Sequence, residues 1–313
     1  MKVLVTGANG FVGQSLSAAL VFSQYGVVAE LRGLSKMQAG IEQVGVGSID
    51  GMTNWGLALE TVDVVVHLAA RVHVMNDTIS DPLAEFRKVN VEGTLNLARQ
   101  AAAAGVKRFI FMSSVKVNGE VTALGSPFTE QNIANTQDAY AVSKYEAEQG
   151  LLEIAQQTGM EVVIIRPPLV YGAGVKANFA SMMRVVKRGL PLPLGAIHNK
   201  RSFVSVQNLV SLIMCCIDHP AAANQVFLVS DGYDLSTTEL LRECAKALAV
   251  KSRLIPVPQK IIEFGANLVG KADVAQRLCG NLQVDITKAR KLLGWSPLVS
   301  VSEGLILMVS AKE

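Results

Sequence analysis

The sequence predicts an α/β protein with a doubly wound parallel sheet and a smaller C-terminal lobe. Three observations support this fold class. The first half of the 313-residue chain alternates short β-branched runs with helical stretches, which is the order of a parallel sheet with helices on both faces. The first β-branched run is followed directly by spaced glycines and a helical stretch. After Arg166 the alternation stops, and prolines and glycines punctuate the chain.

The strands of the first half are predicted from their β-branched and apolar runs. They are Lys2–Val5, Val27–Leu31, Val62–Leu68, Arg108–Met112 and Glu161–Ile165. The last contains Val162, Val163, Ile164 and Ile165 in succession, as strands buried on both faces do. Helices are predicted between the strands, at Gly13–Gln24, Asp81–Ala104 and Ala139–Gly159.

The chain is predicted to divide near residue 170, because its length suits one large domain with a smaller lobe. Residues 1–170 form the sheet domain, and residues near 202–232 return to it through a strand at Gln225–Val229. Residues 171–313 form mainly the second lobe, which consists of helices and loops.

Composition excludes several function classes. The formal net charge of +3 gives no reason to expect nucleic acid or a membrane as a partner. The four cysteines lack paired spacing and the four histidines form no ligand motif, so we expect reduced thiols and no metal site. Met1 and Lys2 are followed at once by the strand-like VLV, and we therefore expect no signal peptide and a cytoplasmic location.

The segment LVTGANGFVG, residues 4–13, indicates a dinucleotide site. Gly7 permits a tight turn, Gly10 lets the backbone approach a pyrophosphate, and Gly13 lets helix and strand pack closely. Phe11 and Val12, between the last two glycines, belong to the same cofactor-binding segment. The helix start offers free N–H groups to the phosphates. A Rossmann-type sheet is therefore expected, although a purely structural strand–helix turn would have the same glycines.

The residues after the second predicted strand favour NADP(H) over NAD(H). An acidic residue that binds the ribose 2′-hydroxyl is expected there, but the position holds Leu31, and Glu30 comes one residue early. Arg32 follows and can pair with a 2′-phosphate, or it is a solvated surface arginine. Asp50, in the segment GSID at the end of a further strand predicted after Val27–Leu31, either reaches the adenine edge or caps a loop.

Tyr140 and Lys144, in DAYAVSKYEAE, are a candidate proton-transfer pair. Residues i and i+4 of a helix are neighbours, and a nearby cation lowers a tyrosine pKa from its ordinary value near 10. Ser114, at the end of a predicted strand, can hydrogen-bond a reacting oxygen. Exposed helices carry many such pairs, and Ser114 alone could be a strand terminus. The glycine segment in the same chain favours the catalytic interpretation.

Four motifs, in their order and spacing, are similar to those of a known enzyme family. With TGANGFVG, HLAA at 67–70, SS at 113–114 and YAVSK at 140–144, the chain resembles the extended short-chain dehydrogenase/reductases, in particular the nucleotide-sugar epimerase and 4-ketoreductase branch. The segments SSVKVNGE and RPPLVYG are similar to those of bacterial enzymes that modify UDP-N-acetylhexosamine derivatives, including reductases that form UDP-N-acetylquinovosamine.

The resemblance implies roles for individual residues. Ser114, Tyr140 and Lys144 match the catalytic residues of the family. The cofactor is implied to contact Leu68, Ala69, Ala70, Asn90 and Pro168, in addition to the tyrosine and the lysine. Arg201 in RSFVSV matches an arginine that holds the diphosphate of the sugar nucleotide. The chain departs from frequent family residues at Asn118, Leu169 and Asn208.

The remaining substrate-binding candidates follow from position in the predicted sheet. Open α/β sheets bind ligands beyond the carboxyl ends of their strands, where Lys116 and Asn118 follow one strand, and Lys176 and Asn178 lie in the segment GAGVKANF. Each of these residues, and Arg201, is equally compatible with an ordinary polar loop position.

The leading hypothesis is therefore NADP-linked reduction at C4 of a UDP-4-keto-6-deoxy-N-acetylhexosamine. The runner-up is C4 epimerisation of a UDP-hexose or UDP-N-acetylhexosamine. Other readings are a non-catalytic dinucleotide sensor and a reductase of apolar ketones such as steroids. The resemblance also implies a homodimer packed through two helices, whose apolar positions include Leu95, Leu97, Ala98, Leu151 and Leu152; these side chains can instead face the sheet.

Overall fold

A computed structural model describes residues 1–31, 33, 38–72, 81–132, 138–175 and 177–311, with the side chains of residues 177 and 178 left undescribed. The main sheet has seven strands, and every neighbouring pair in it is parallel. The predicted α/β class with a parallel Rossmann-type sheet is confirmed.

The strands of the main sheet lie in the order β3-β2-β1-β4-β5-β6-β9. Their bounds are β1 Lys2–Thr6, β2 Gly26–Glu30, β3 Ile41–Val44, β4 Val64–His67, β5 Arg108–Met112, β6 Glu161–Arg166 and β9 Gln225–Leu228. A separate parallel pair is formed by β7 Leu169–Tyr171 and β8 Phe203–Ser205. The third strand ends at Val44, so the segment GSID is a loop and does not form a strand end.

The helices alternate with these strands in the first half and dominate the second. They are α1 Phe11–Phe22, α2 Gly56–Leu59, α3 Pro82–Arg87, α4 Thr94–Ala103, α5 Ala139–Thr158, α6 Ala177–Lys187, α7 Val206–Asp218, α8 Thr237–Ala247, α9 Gln259–Leu268, α10 Ala272–Cys279, α11 Thr287–Leu293 and α12 Val301–Ser310.

The helix predicted over Asp81–Ala104 is interrupted. A π-helical turn at Lys88–Gly93 separates α3 from α4. Gly93 lies so close to the loop after β3 that a Cβ atom there would stand 2.8 Å from Cγ2 of Ile49. The wider turn also leaves the Asn90 side chain buried, and π-turns of this kind are frequent at functional sites.

Helices cover both faces of the sheet, as the doubly wound class requires. One core cluster contains Leu16 of α1 and Leu209 of α7. The cluster on the other face contains Leu97 of α4 and Leu151 of α5. Leu97, Ala98 and Leu151 therefore pack inside the core and do not form a surface for a second copy. The homodimer stays a prediction.

The second half builds its own core around β7 and β8. Tyr171, Phe179, Phe203, Leu240 and Leu305 share this third cluster. All four cysteines are free thiols, and three are buried. No helix in the described ranges is both long and apolar enough to pass through a bilayer.

Close packing of the first helix on its own loop yields a test of the fold. A Cβ atom at Gly13 would stand 2.3 Å from O of Gly7 and 2.7 Å from Cα of Ala8. Because the obstructing atoms belong to the backbone, Gly13→Ala should lower the free energy of unfolding by about 2 kcal/mol or more. Urea denaturation measures this change. The control is Gly265→Ala on α9, where no atom lies nearby and a gain of about 0.5–1 kcal/mol is expected. Equal urea midpoints for the two variants would contradict the packing.

Candidate active site

The predicted site segments meet at one edge of the sheet. Because β1, β4, β5 and β6 are parallel neighbours, their carboxyl ends lie side by side. The glycine segment follows β1, HLAA continues from β4, the serine pair follows β5, and Pro167 and Pro168 follow β6.

The glycine segment forms a backbone cradle that fits a dinucleotide. Gly7 has φ +64°, and a Cβ atom on it would lie 3.0 Å from N of Ala69. The N–H of Gly7 donates to Oε2 of Glu30 at 2.9 Å, and the N–H of Gly10 to O of Gly7 at 2.9 Å. No described side chain caps the start of α1 at Gly10, so the first turn, with Phe11 and Val12, presents backbone N–H groups to an anion.

The HLAA loop is pinned by a buried histidine. Nδ1 of His67 lies 2.7 Å from Oγ1 of Thr6, and its Nε2 lies 2.9 Å from Oγ1 of Thr94. Burial, followed by the charge of Lys144, lowers the pKa of His67 to about 3, so the ring is neutral. The N–H of Ala69 also donates to Oγ1 of Thr6, at 3.1 Å. This arrangement fixes the loop of Leu68, Ala69 and Ala70 against β1.

Asn90 links that loop to the helix that carries the tyrosine. Its Oδ1 accepts from N of Arg71 at 2.8 Å, and its Nδ2 donates to O of Arg71 and to Oγ of Ser143, both at 3.0 Å. Ser143 Oγ in turn donates to O of Tyr140 at 2.7 Å. Asn90 therefore positions α5, while the contact with a cofactor predicted for it stays a prediction.

Tyr140, Lys144 and Glu148 lie on one face of α5, at successive i+4 positions. The side chain of Lys144 is only 2% exposed. Its Nζ donates to O of Met112 at the end of β5, at 2.8 Å, and stands 4.4 Å from the centroid of the Phe111 ring. The helical placement of the tyrosine–lysine pair beside the end of β5 agrees with the prediction from the sequence.

Burial is the main cause of the pKa shifts of Tyr140 and Lys144. It raises the pKa of Tyr140 to about 12, with a smaller contribution from Asp138. It lowers the pKa of Lys144 to about 7, against the opposing charge of Glu148. The expectation that Lys144 lowers the tyrosine pKa is therefore wrong for the protein itself. The reason is that loss of solvent disfavours the charged form of both groups, which raises the tyrosine pKa and leaves the lysine only partly protonated near pH 7.

Ser114 stands half-buried after β5 and begins a short 3₁₀ turn at Val115–Val117. Its Oγ accepts from N of Lys116 at 3.2 Å. Nζ of Lys116 pairs with Oδ2 of Asp138 at 2.9 Å and with Oε1 of Glu120 at 3.3 Å. Asp138 also caps α5 by accepting from N of Ala141 at 2.9 Å. Lys116 thus ties the serine loop to the helix start of Tyr140.

A buried ion pair beneath the site was missed by sequence reasoning. Arg166, at the end of β6, donates from Nε to Oε1 of Glu148 at 3.0 Å and from Nη2 to Oε2 at 2.5 Å. Ser113 Oγ donates to the same carboxylate. The Glu148 side chain is 1% exposed and that of Arg166 7%. The available signal was the position of Glu148, one further i+4 step along the face that carries Tyr140 and Lys144.

Asn118 belongs to this network. Its Oδ1 accepts from Nη1 of Arg166 at 3.2 Å, and its Nδ2 donates to O of Thr129 at 2.9 Å and to O of Asn132 at 3.0 Å. Both ends of the amide are therefore bonded inside the protein. The structure gives the side chain an internal role, and the substrate contact predicted for it is not supported by this geometry.

The other predicted residues with described side chains make separate local contacts. Arg201 is half-buried, donates from Nη1 to O of Gly280 at 3.1 Å, and has a pKa lowered by burial. Pro168 is buried after β6. Asp50 accepts from N of Met52 at 2.9 Å and from Oγ of Ser48 at 3.2 Å, and the Met52 bond is the main cause of its lowered pKa. Asp50 therefore closes its own loop.

Three of the predicted site residues have no described side chain. Arg32 and Lys176 lie outside the described residues, and Asn178 is placed in α6 without its side chain. Within the described residues, no group of three or more His, Cys, Asp or Glu side chains is arranged to hold a metal ion.

Comparison with known proteins identifies relatives over the whole fold. The model of the NAD dependent epimerase/dehydratase family matches residues 3–230. A UDP-glucose 4-epimerase of Vibrio cholerae is 51% identical and covers 97% of this chain and 93% of its own. A GDP-6-deoxy-D-mannose reductase of Pseudomonas aeruginosa is 28% identical over 99% of this chain and 96% of its own. The crystal structure of UDP-glucose 4-epimerase from Thermotoga maritima with UDP-glucose superposes with a TM-score of 0.78, at 24% identity, over 100% of this chain and 98% of that one, which shows the shared fold.

The buried ion pair gives a test of the support beneath the site. Glu148→Gln leaves the guanidinium of Arg166 without its buried carboxylate, and the free energy of unfolding should fall by about 3 kcal/mol. Urea denaturation measures the loss. Glu146→Gln is the matched control on the same helix, because Glu146 pairs with Arg87 at the surface, where ion pairs contribute little. If both variants unfold at the same urea concentration, Glu148 is not a structural partner of Arg166.

The burial of Lys144 predicts a pH dependence of stability. The pKa in the folded protein, about 7, lies below the ordinary 10.5, so between these values the unfolded chain holds more protons and stability rises with pH. Lys144→Met removes this rise. The variant should be more stable than the unmodified protein at pH 6, by about 2 kcal/mol, and this advantage should shrink toward pH 10. Urea denaturation across this range measures the difference. Lys246→Met, at an exposed side chain, should show no such pH dependence. A constant difference for Lys144→Met would refute the assignment.

Proposed function

We propose that this chain, which belongs to the NAD dependent epimerase/dehydratase family, catalyses C4 epimerisation of a UDP-hexose or UDP-N-acetylhexosamine. Membership of the family makes it an NAD(P)-dependent enzyme that acts on nucleotide sugars. The observation that carries the finer proposal is the 51% identity to a UDP-glucose 4-epimerase over nearly the whole of both chains. Epimerisation therefore moves ahead of 4-keto reduction, which the sequence alone placed first.

The residues around Tyr140 support proton transfer at a sugar hydroxyl. Tyr140 takes the proton from O4 in one direction and returns it in the other, while Ser114 hydrogen-bonds the same oxygen. When bound, the dinucleotide supplies the hydride acceptor and donor and, in its oxidised form, positive charge near the phenol. Because burial holds the tyrosine pKa at about 12, the phenolate needs a cation at hand, and Lys144 is held for this role by O of Met112.

A second candidate, 4-keto reduction of a UDP-4-keto-6-deoxy-N-acetylhexosamine, is favoured by the resemblance to a GDP-6-deoxy-D-mannose reductase. It would use the same serine, tyrosine and lysine. Reduction consumes the reduced dinucleotide in proportion to product, whereas epimerisation leaves its amount unchanged. A sensor without catalysis is disfavoured because Ser114, Tyr140 and Lys144 are all retained.

For the dinucleotide we propose NADP(H) ahead of NAD(H). The carboxylate of Glu30 is 1% exposed and accepts from N of Gly7, so it serves the glycine loop. The next residue is the buried, apolar Leu31. Arg32 follows, and an arginine at this point suits a 2′-phosphate better than a free 2′-hydroxyl.

For the substrate we propose that Arg201 binds the diphosphate. Its planar group offers five N–H donors that match phosphate oxygens, and its half-buried position would strengthen the contact. Lys116, Lys176 and Asn178 remain proposals for the sugar. We further propose the division into residues 1–170, with the return at 202–232, and residues 171–313, together with a homodimer and a cytoplasmic location.

The function is tested with Tyr140→Phe. The variant should interconvert UDP-glucose and UDP-galactose, or their N-acetylamino forms, at least about 100-fold more slowly, and bind NADP⁺ and NAD⁺ as the unmodified protein does. Product chromatography measures turnover, and calorimetric titration measures both dinucleotides. Tyr145→Phe, on the same helix, is the control and should keep full activity.

The outcomes separate the candidates. Interconversion with no net change in reduced dinucleotide supports epimerisation. Oxidation of NADPH in proportion to a 4-keto sugar consumed, with no interconversion, replaces it by reduction. Unchanged turnover in Tyr140→Phe would remove the tyrosine from the mechanism altogether.

A further inference from the structure

The α9–α10 hairpin, residues 259–279, carries an exposed apolar surface. Ile261 is 60% exposed, Phe264 66%, Leu268 72% and Val269 67%. Helix α9 has no fully buried residue, although it packs on α10, whose Ala275 and Cys279 are buried. Side chains of this size are rarely exposed together unless something covers them.

These side chains form one stripe. At about 100° per residue, Ile261, Phe264 and Leu268 lie within an arc of about 60° on α9. Val269 continues the stripe into the tip of the hairpin, where Gly270 turns the chain with φ +67°. Phe22 and Met52 are more exposed, but they belong to other elements and stand apart from the hairpin in the sequence.

The segment that contains the stripe is basic. Five exposed cationic side chains lie in residues 251–280, against two acidic side chains. The basic residues are Lys251, Arg253, Lys260, Lys271 and Arg277, and the acidic residues are Glu263 and Asp273. On α9, Lys260 flanks the stripe, while Glu263 lies about 130° away from its centre. An exposed apolar stripe within a basic segment is the pattern of a helix that lies in an anionic lipid interface.

We propose that the α9–α10 hairpin docks this protein on an anionic lipid surface. Helix α9 lies along the surface, and its stripe enters the boundary between headgroups and acyl chains. With ten residues the helix is too short to span a bilayer, so the attachment is peripheral. A second copy of the chain is a poorer occupant, because a two-fold contact would place the same basic residues against each other.

The root of the hairpin adjoins the candidate substrate lobe. Helix α10 leads into Gly280, whose O accepts from Nη1 of Arg201 at 3.1 Å and from Nδ2 of Asn199 at 2.8 Å. Docking through α9 would therefore place the Arg201 side chain at the base of the docked hairpin. The proposal stands on the hairpin itself and does not require the proposed reaction.

A tryptophan placed in the stripe tests the docking directly. The native Trp55 and Trp295 are buried, at 0% and 5% exposure, so an added exposed indole dominates any change in emission. In Phe264→Trp the emission should shift to shorter wavelength with vesicles of phosphatidylcholine and phosphatidylglycerol. The shift should be weaker with phosphatidylcholine alone and should fall as salt is added. Phe22→Trp, at a phenylalanine that is 91% exposed and lies outside the hairpin, is the control and should not shift.

Cosedimentation provides the second measurement. The combined change Ile261→Ser, Phe264→Ser and Leu268→Ser should lower the partition coefficient onto the anionic vesicles at least about tenfold. The urea midpoint, and turnover of nucleotide sugar without vesicles, should stay the same because the stripe is outside every core cluster. Equal vesicle binding by this variant and the unmodified protein would overturn the proposal. So would an emission shift in Phe264→Trp that follows protein concentration without lipid, since that result identifies a second copy as the occupant.

Discussion

The buried face of α5 is the constraint on which the site depends. Three ionisable side chains, Tyr140, Lys144 and Glu148, stand there at successive helical turns; Lys144 and Glu148 are buried and Tyr140 is half-buried. Charge in such surroundings must be paired or neutralised. Glu148 is paired with Arg166 at 2.5 Å, and Lys144 has a carbonyl and an aromatic ring as neighbours. The tyrosine keeps its proton, with a pKa near 12.

Charged side chains that look equivalent in the sequence have different environments in the structure, and therefore different roles. The Glu148–Arg166 pair fixes α5 against β6, so it belongs to the scaffold. Lys144 has no comparable salt bridge among the described contacts, and its pKa lies near 7, so its charge responds to what binds beside it. A buried cation without a salt bridge costs stability, and in the proposed reaction Lys144 would stabilise the phenolate of Tyr140. His67 contributes no charge, because the same environment keeps it neutral.

The alternation of strands and helices and the place of the glycine loop were predicted well, because both follow from local patterns. The catalytic roles of Ser114, Tyr140 and Lys144 stay predictions. β5 was predicted with its observed bounds, and the glycine cradle follows from spacing alone. The predictions that failed depend on contacts between residues far apart in the sequence, or on burial, and no local pattern contains these. Asn118 is held by residues 11, 14 and 48 positions away. The π-helical turn between α3 and α4 lies where Gly93 packs against Ile49, which is far away in the sequence. The direction of the Tyr140 pKa follows from burial, which spacing does not measure.

The net charge of the chain is a further property that predicts little about the structure. The formal net charge of +3 is too small to draw the whole molecule to an anionic surface. It does not show where along the chain the charged side chains lie. Residues 251–280 contain five basic and two acidic side chains, so this short segment alone carries a charge as large as that of the entire chain. Attraction to a charged surface acts within about 8–10 Å at physiological salt. The excess of basic side chains in this segment is therefore what attracts the hairpin to an anionic surface in the proposed docking. The charges on the rest of the molecule are too far from that surface to contribute, because salt screens them.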